Sequence, residues 1–427
     1  MEISYVKFND INNIRVSEVV TIDRIKQWKA GDHITIKAGT GAGKSYFIKN
    51  ILYAQAKRDN RKILMLIHRK NCVTQFKKEL IRDKKTDVID IMTYQKLENL
   101  FFKSPEDISL WQYQYIVCDE FHYFMGDAAF SKTTDISLDL ILEQISSIKI
   151  FMSATGDYTK QYLNEIKGIR TSSYELPINY NFIKDLTFFK TDETLEDIIE
   201  EAIENNYKMI LFIQSAKKAY ELYEKHKDHC LFNCSKTNTT YSKFVNQEKI
   251  DNLLANEKFD ELILITTCCM DTGVNIIDLD LNHIVCDVED TGTLIQCIGR
   301  KRVQNISDKI YLYIKVINNK SLGGKKSKLA QKIKMAEFLK EHTVKEFISK
   351  YPREYDYSNI VYDAIVKEED KGTKKVNDLM FYKCKIDIYE IEQIFKVGYC
   401  NYIKELLGND QYLIIENELK IINLRVI

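Results

Sequence analysis

The stretch AGTGAGKS, residues Ala38–Ser45, follows the apolar run Ile34–Ile36 and precedes a helical pattern. Glycines let the backbone approach a bound group closely, so several N–H groups at a helix start can face phosphate oxygens. In such a loop Lys44 reaches the β and γ phosphates of a nucleotide, and Ser45 is a ligand of Mg²⁺. The strand before the loop and the helix after it favour this nucleotide site over a flexible loop with a solvated lysine.

Every residue of this loop is a candidate for nucleotide binding: Ala38, Gly39, Thr40, Gly41, Ala42, Gly43, Lys44 and Ser45. The usual pattern, GxxxxGK[ST], begins with glycine where this chain has Ala38. Alanine is small enough for that position, so the departure weakens the prediction only slightly. The helix that follows is expected to bury Phe47, Ile48, Ile51 and Leu52.

A second candidate is the acidic pair Asp119 and Glu120, which follows the apolar run Tyr115–Cys118. A phosphate loop needs a carboxylate at the end of a neighbouring strand to hold the metal ion, and Asp119 is placed for this role. Glu120 can then accept a proton from the attacking water. Alone, such a pair would be a solvated strand end. After a phosphate loop it favours nucleotide hydrolysis over nucleotide storage.

Short apolar runs alternate with helical patterns, which predicts an α/β fold with parallel sheets. The runs are Ile34–Ile36, Ile63–Ile67, Tyr115–Cys118, Ile150–Met152, Met209–Ile213, Leu262–Thr266, His283–Cys286 and Ile310–Val316. A polar stretch that contains Pro177 separates the first four runs from the others. We predict an α/β domain at residues 1–170, a linker at 171–182, a second α/β domain at 183–317, and a mostly helical accessory region at 318–427.

Composition bounds the possible partners and the location. The chain has 427 residues, with 62 Lys plus Arg against 62 Asp plus Glu, so a polyanion must bind a local basic patch. No apolar run reaches about 18 residues and the start is too polar for a signal peptide, so we expect no membrane partner. The ten cysteines mostly sit singly in apolar runs, which favours reduced thiols and a cytoplasmic location.

One cysteine pair has the spacing of a partial metal site. Cys230 and Cys234 are four residues apart and close to His226 and His229, and they are candidates for half of a metal site. Because no second ligand cluster lies nearby, the sequence favours an ordinary surface segment.

Three motifs in the first domain together resemble a known family. The phosphate loop, DEFH (Asp119–His122) and SAT (Ser153–Thr155) occur in this order, each at a predicted strand end. The domain thereby resembles the motor of superfamily 2 DEAD/DEAH-box helicases, and DEFH is nearer the DExH group than the DEAD-box group.

The second domain continues the resemblance. FIQS (Phe212–Ser215), TCCMDTGVNI (Thr267–Ile276) and QCIGRKR (Gln296–Arg302) resemble motifs IV, V and VI of the same proteins. The resemblance covers about residues 20–316 and implies two RecA-like domains that close on ATP and Mg²⁺. No residue supports ATP over other nucleotides, since the adenine-reading glutamine position falls near Thr21.

The resemblance implies catalytic or nucleotide-binding roles in the second domain for Gly273, Asn275, Gln296, Arg300 and Arg302. Arg300 would be an arginine finger that neutralises charge on the transferred phosphoryl group. Motif VI usually has its second arginine where this chain has Val303. Either Arg302 takes over after a local backbone adjustment, or only one finger is used.

Loops after the strands of both domains would hold nucleic-acid phosphates without reading sequence. The candidates are Arg69, Lys70, Gln75, Thr93, Ser215 and Thr267. Arg69 and Lys70 are alternatively a solvated strand end, and Tyr94 is as compatible with packing as with base stacking. The Lys-rich run from Lys320 to Lys334 is either an extension of this track or a solvated helix face.

His122 would couple the nucleotide site to SAT through Ser153 or Thr155; alternatively it is a core histidine.

The sequence thus predicts an ATP-dependent helicase or translocase on nucleic acid, with single-stranded DNA favoured over RNA. The alternatives are an RNA helicase, a duplex translocase that parts no strands, and a nucleotide-gated clamp or sensor with little turnover. Protein partners are not readable from the sequence.

Overall fold

The structure is a computed structural model. It describes residues 14–68, 70–126, 128, 131, 133–270, 275–305, 307–352, 359–365, 372–408, 412–415 and 418–421. The chain forms two compact units. The first contains Met1–Pro177, Asn319–Gly398 and Gln411–Ile427, and the second contains Ile178–Asn318 and Tyr399–Asp410.

The core of the first unit is a parallel sheet in the order β6-β1-β5-β4-β2-β3. Its strands are β1 (His33–Lys37), β2 (Lys62–Ile67), β3 (Ile89–Thr93), β4 (Tyr113–Asp119), β5 (Ile148–Ser153) and β6 (Ser172–Glu175). The β5 strand is buried at every position, as expected for a parallel strand covered on both faces. All carboxyl ends lie at one edge of the sheet.

Helices cover this sheet: α1 (Val16–Val19), α2 (Ile22–Ile25), α3 (Lys44–Tyr46), α4 (Tyr53–Arg58), α5 (Lys70–Arg82), α6 (Tyr94–Lys103), α7 (Tyr123–Gly126), α8 (Thr134–Leu142) and α9 (Asp157–Glu165). A π-helical segment, Phe47–Leu52, joins α3 to α4. Of the predicted stripe, Phe47, Ile48 and Leu52 are buried and Ile51 packs against the same core.

The second unit contains a parallel sheet in the order β7-β12-β11-β8-β10-β9. Its strands are β7 (Ile183–Phe189), β8 (Lys208–Ile213), β9 (Cys230–Asn233), β10 (Ile263–Thr266), β11 (Leu281–Asp287) and β12 (Ile310–Lys315). Its helices are α10 (Asp192–Glu204), α11 (Ala216–Lys225), α12 (Gln247–Asn256) and α13 (Thr291–Ile298). The prediction of tandem α/β domains with parallel sheets is confirmed.

The remaining elements are α14 (Asn319–Glu341), α15 (Val344–Lys350), β13 (Val361–Ile365), β14 (Gly372–Val376), α16 (Asp378–Val397), α17 (Tyr399–Leu406), β15 (Tyr412–Ile415) and β16 (Glu418–Ile421). The region is helical as expected, with two antiparallel hairpins that the sequence analysis missed. One of them, β15–β16, pairs with β6 and extends the first sheet.

The accessory region is tied to the first unit by tyrosine hydroxyls. Tyr362 donates to buried Asp135 at 2.9 Å, and Tyr382 donates to Glu165 at 3.3 Å. Tyr158 of α9 donates in the opposite direction, to Glu390 of α16, at 2.7 Å. These contacts fix α16 and the β13–β14 hairpin to helices α8 and α9.

Two segments differ from the sequence-based expectation. Ser172–Glu175, expected in the linker, forms strand β6 because its polar side chains find partners. The Ser173 hydroxyl hydrogen-bonds that of Thr35 on β1 at 2.8 Å.

Cys230 and Cys234, expected on the surface, are buried at strand β9. Across the described residues, no group of three or more His, Cys, Asp and Glu is arranged to hold a metal ion.

No helix within the described ranges combines the length and apolar character needed to cross a bilayer.

A buried histidine lies in the second sheet between aromatic rings. The His283 ring stacks on Tyr207 at 4.7 Å and on Tyr311 at 4.9 Å between ring centroids. Burial lowers the pKa of His283 to about 4, from an ordinary value of 6.5. The folded unit therefore holds this imidazole neutral at mildly acidic pH.

Because the unfolded chain takes up this proton first, acidification from pH 7 to 5 should lower the free energy of unfolding. His283 should contribute about 1–2 kcal/mol of this loss. His283→Phe keeps an aromatic ring and removes the titration, so its urea-unfolding free energy should depend less steeply on pH. The exposed-site variant His342→Phe is the control, and an unchanged slope in His283→Phe would refute the assignment.

Candidate nucleotide site and nucleic-acid interface

The phosphate loop joins the end of β1 to the start of α3. Gly41 and Gly43 both have φ of +84°, in the left-handed region that favours glycine. This conformation turns the loop around the helix start at Lys44. The Lys44 ammonium donates to the Ala38 carbonyl at 2.9 Å and to the Gly39 carbonyl at 3.3 Å, so it lies inside the loop.

Two backbone hydrogen bonds brace the loop from outside. The Val16 amide of α1 donates to the Ala42 carbonyl at 2.9 Å, and the Ala38 amide donates to the Ser153 carbonyl at 3.1 Å. The first bond connects the loop to the chain that precedes β1. The second connects it to SAT at the end of β5.

Asp119 ends β4, and Glu120 follows it with φ of +50°. Left-handed backbone is uncommon for glutamate and costs about 1 kcal/mol or more, so surrounding contacts must hold it. Desolvation first, and then the Glu120 carboxylate, raise the pKa of Asp119 above its usual range, while Lys44 acts to lower it. The acidic pair and the loop lysine therefore interact electrostatically.

The three residues predicted to couple the site lie in one network. His122 Nδ1 is 2.9 Å from the Ser153 hydroxyl and 3.3 Å from Glu120 Oε2. The Ser153 oxygen lies 3.2 Å from Glu120 Oε2 and accepts from the Thr155 amide at 3.1 Å. The structure thus brings DEFH and SAT into direct contact.

A glycine after SAT determines how closely DEFH can approach. A Cβ atom at Gly156 would lie 2.2 Å from two ring carbons of Phe121. Phe121 is buried and packs on Phe151 of β5, so its ring has little room to move. The sequence analysis missed this contact, although a glycine directly after a strand-end motif was the available signal.

The sequence analysis also missed the polar contacts of α6. Tyr94 is fully buried, so its ring packs inside the unit and does not stack on a base. Its hydroxyl donates to the Asp119 main-chain carbonyl at 2.9 Å. Its ring stacks on Tyr123, with centroids 4.5 Å apart and planes 6° apart.

In the second unit, motifs V and VI are joined by a short parallel bridge. The Ile276 amide donates to the Arg300 carbonyl, and the Arg302 amide donates to the Ile276 carbonyl, both at 2.9 Å. Arg302 Nε donates to Asn275 Oδ1 at 2.8 Å. Arg302 is therefore held against motif V by both its main chain and its side chain.

Three polar residues of motif VI, Gln296, Arg300 and Lys301, are buried. Arg300 Nε donates to the Gln296 carbonyl at 2.9 Å, one helical turn away. Between the two arginines, buried Lys301 pairs with buried Asp308 at 2.9 Å. Val303, at the usual place of the second arginine, is 38% exposed. Gly273 lies outside the described residues.

The nucleic-acid candidates Thr93, Ser215 and Thr267 lie at or just after strand ends, whereas Gln75 lies within α5. Several of them have local structural roles. Thr93 and Ser215 cap α6 and α11, accepting from the Lys96 amide at 3.0 Å and the Lys218 amide at 3.3 Å. The remaining described candidates are Gln75, which donates to Glu79 at 3.4 Å, and Thr267, whose amide donates to the Asn233 carbonyl at 3.1 Å. Arg69 and the Lys70 side chain lie outside the described residues.

The lysine-rich run lies in α14, which belongs to the first unit. Lys326 pairs with Glu392 of α16 at 2.8 Å. Just beyond the run, Lys340 pairs with Asp378 of the same helix at 2.7 Å. These pairs are those of a helix face packed on a neighbour, and other lysines of the run stay candidates for a polyanion.

The residues at the loop fit a magnesium ion with a nucleotide. Ser45 is the second residue of the loop helix and has an exposed side chain, and the Asp119 carboxylate interacts with Lys44 of the same loop. Hydroxyl and carboxylate oxygens are ligands that Mg²⁺ takes together with phosphates and water. Ser45 and Asp119 would hold the ion.

Gly156→Ala should destabilise the first unit by about 1–3 kcal/mol, because the new methyl group overlaps the Phe121 ring. Urea unfolding measures this change. Gly324→Ala in α14 is the matched control, since a Cβ there meets nothing within 4 Å, and alanine favours a helix. Equal stabilities of the two variants would contradict the packing argument.

Comparison with known proteins agrees with this architecture. Residues 190–302 match the helicase conserved C-terminal domain. A search of curated protein sequences finds no match. Among solved structures, S. cerevisiae Dbp5 bound to RNA and ADP BeF3 aligns with a TM-score of 0.52 at 19% identity, over 68% of this chain and 81% of that one.

DEAD-box helicase Mss116 bound to ssRNA and UDP-BeF aligns with a TM-score of 0.53 at 16% identity. That alignment covers 74% of this chain and 72% of the other. Together with the matched C-terminal domain, these likenesses show the fold of the chain, which is two RecA-like α/β domains in tandem.

Proposed function

We propose that this protein is an ATP-dependent motor that couples nucleotide hydrolysis to movement along, or unwinding of, nucleic acid. One observation carries the proposal: a single sheet edge brings together the phosphate loop, the acidic pair and the His122–Ser153 contact. Nucleotide storage would need the loop alone. Hydrolysis also needs a metal-binding carboxylate and a proton acceptor, and the acidic pair supplies both.

The first domain binds the nucleotide phosphates and activates the attacking water. The amides of the loop hold the phosphates, and Lys44 leaves its two loop carbonyls to reach the β and γ phosphates. Ser45 and Asp119 would hold Mg²⁺, which would supply positive charge to the phosphates. Glu120 accepts the proton of the attacking water. The hydrogen bond from the Ser153 hydroxyl to the Glu120 carboxylate holds that carboxylate in one orientation.

The second domain supplies positive charge to the same reaction. Arg300 acts as the arginine finger, and Gln296 lies four residues before it, near the end of α13. Gly273 and Asn275 of motif V contribute to nucleotide binding. We assign Arg302 to holding motif V on motif VI, because its side chain is engaged by Asn275 at 2.8 Å.

The polymer is single-stranded nucleic acid, held by phosphate contacts from strand-end loops of both domains. Those contacts come from Arg69, Lys70, Gln75 and Thr93 in the first domain and from Ser215 and Thr267 in the second. Single-stranded DNA is our first choice of substrate, and RNA is the alternative. Dbp5 and Mss116 were solved with RNA, so both polymers belong in every assay.

A second candidate function is a nucleotide-gated clamp that binds nucleic acid and turns over slowly. The exposed Val303 favours it, because the second arginine of motif VI is replaced there. The intact pair of Asp119 and Glu120 favours the motor. Turnover in the presence of polymer separates the two functions.

We expect single-stranded DNA or RNA to stimulate the steady-state ATPase rate. Lys44→Ala and Glu120→Gln should each lower kcat by at least about 100-fold, because they remove phosphate stabilisation and the proton acceptor. Oligonucleotide binding by Glu120→Gln should persist. Absence of stimulation by single-stranded DNA, duplex DNA and RNA alike would eliminate the motor.

The two arginines of motif VI should differ in effect. Arg300→Ala should lower kcat by about 1000-fold or more, as loss of an arginine finger does. Arg302→Ala should lower kcat less, by about tenfold, and should lower thermal stability, because it releases Asn275. Steady-state kinetics with thermal unfolding measures both variants. Equal losses of kcat at unchanged stability would instead make Arg302 a second finger.

A further inference from the structure

Helix α6 holds the DEFH segment at two points. The Tyr94 hydroxyl donates to the main-chain carbonyl of Asp119 at 2.9 Å, and Glu98 accepts from the Tyr123 hydroxyl at 2.8 Å. Tyr94 and Glu98 lie one turn apart on α6, while Asp119 and Tyr123 bracket Glu120. A single helix therefore makes hydrogen bonds with the chain before and after Glu120, the residue assigned to proton transfer.

The side chains that make these two contacts are buried, and the Glu98 carboxylate has further hydrogen bonds. Tyr94 and Tyr123 are both 0% exposed, and Glu98 is 5% exposed. The Glu98 carboxylate also accepts from the Thr133 hydroxyl at 2.9 Å and the Ser137 hydroxyl at 2.8 Å. Water cannot replace these bonds without opening the core, so we expect any shift of α6 to shift DEFH as well.

The amino end of the same helix lies at the edge assigned to the polymer. Thr93 ends β3 and caps α6, and Tyr94 is the first residue of the helix. A polymer phosphate at Thr93 would thus contact the helix one residue from the hydroxyl that holds Asp119. No other side chain is needed between the two sites.

We propose that Tyr94 is a positioning residue that couples polymer binding at the start of α6 to the placement of Asp119. The inference rests on the proposed function and names the link within it. When a strand binds, the change at the amino end of α6 is passed through the Tyr94 hydroxyl to the Asp119 main chain. The metal-binding carboxylate then takes its active position.

Tyr94→Phe tests the link, because it keeps the buried ring and removes only the donor. The readout is the Kd of a fluorescent single-stranded oligonucleotide, DNA or RNA, with and without ADP–beryllium fluoride and Mg²⁺. Coupled sites in the parent protein should change this Kd about fivefold or more. In Tyr94→Phe this change should shrink to about twofold or less, while the Kd without nucleotide stays the same.

Tyr113→Phe is the matched control. Tyr113 lies at the opposite end of β4, is buried, and donates its hydroxyl to Asp90 at 3.1 Å. The control loses a comparable bond away from the site and should keep the parental coupling. Coupling in Tyr94→Phe equal to that of the parent would overturn the inference, whereas an uncoupled parent would overturn the proposed function instead.

Hydrogen exchange gives a second readout that needs no substitution. Oligonucleotide binding without nucleotide should slow exchange at the amides of residues 119–124 in the parent protein, and Tyr94→Phe should lose this response. An unchanged exchange rate at these amides in the parent, despite bound oligonucleotide, would also overturn the inference.

Discussion

Strand β5 pairs in parallel with β1 on one side and with β4 on the other, and the site depends on this pairing. The register places Ser153 beside Lys37 and Met152 beside Asp119. The phosphate loop, the acidic pair and SAT are therefore consecutive along one edge. No loop has to be long to bring them together, so the geometry is set by main-chain hydrogen bonds.

Sequence patterns predict the parts of the fold in which local and tertiary preferences agree. The eight apolar runs all became strands, because parallel strands buried on both faces need nearly continuous apolar sequence. The loop and DEFH were readable for the same reason, since each directly follows such a run. Their residue-level roles remain predictions until activity is measured.

The missed features depend on partners far away in the chain. Strand β6 has the sequence of a polar linker, and the hydroxyl of Thr35 is a hydrogen-bond partner for buried Ser173. The β13–β14 hairpin is short and charged, with Lys374 paired to Asp363 across the strands at 2.7 Å. Likewise, nothing near Tyr94 in the sequence reveals that its hydroxyl meets Asp119. Such contacts become visible only when the elements are packed.

The hairpin β15–β16 determines where the chain can be shortened without removing part of the first sheet. It covers the edge of β6, with Ile414 opposite Glu175 and Ile415 opposite Tyr174. An uncovered edge strand offers unpaired amides and carbonyls to another molecule. A shortened chain that ended before residue 412 would leave the edge of β6 without this partner. The β15–β16 hairpin is thus part of the first sheet, and a fragment cut after the last motif would lack it.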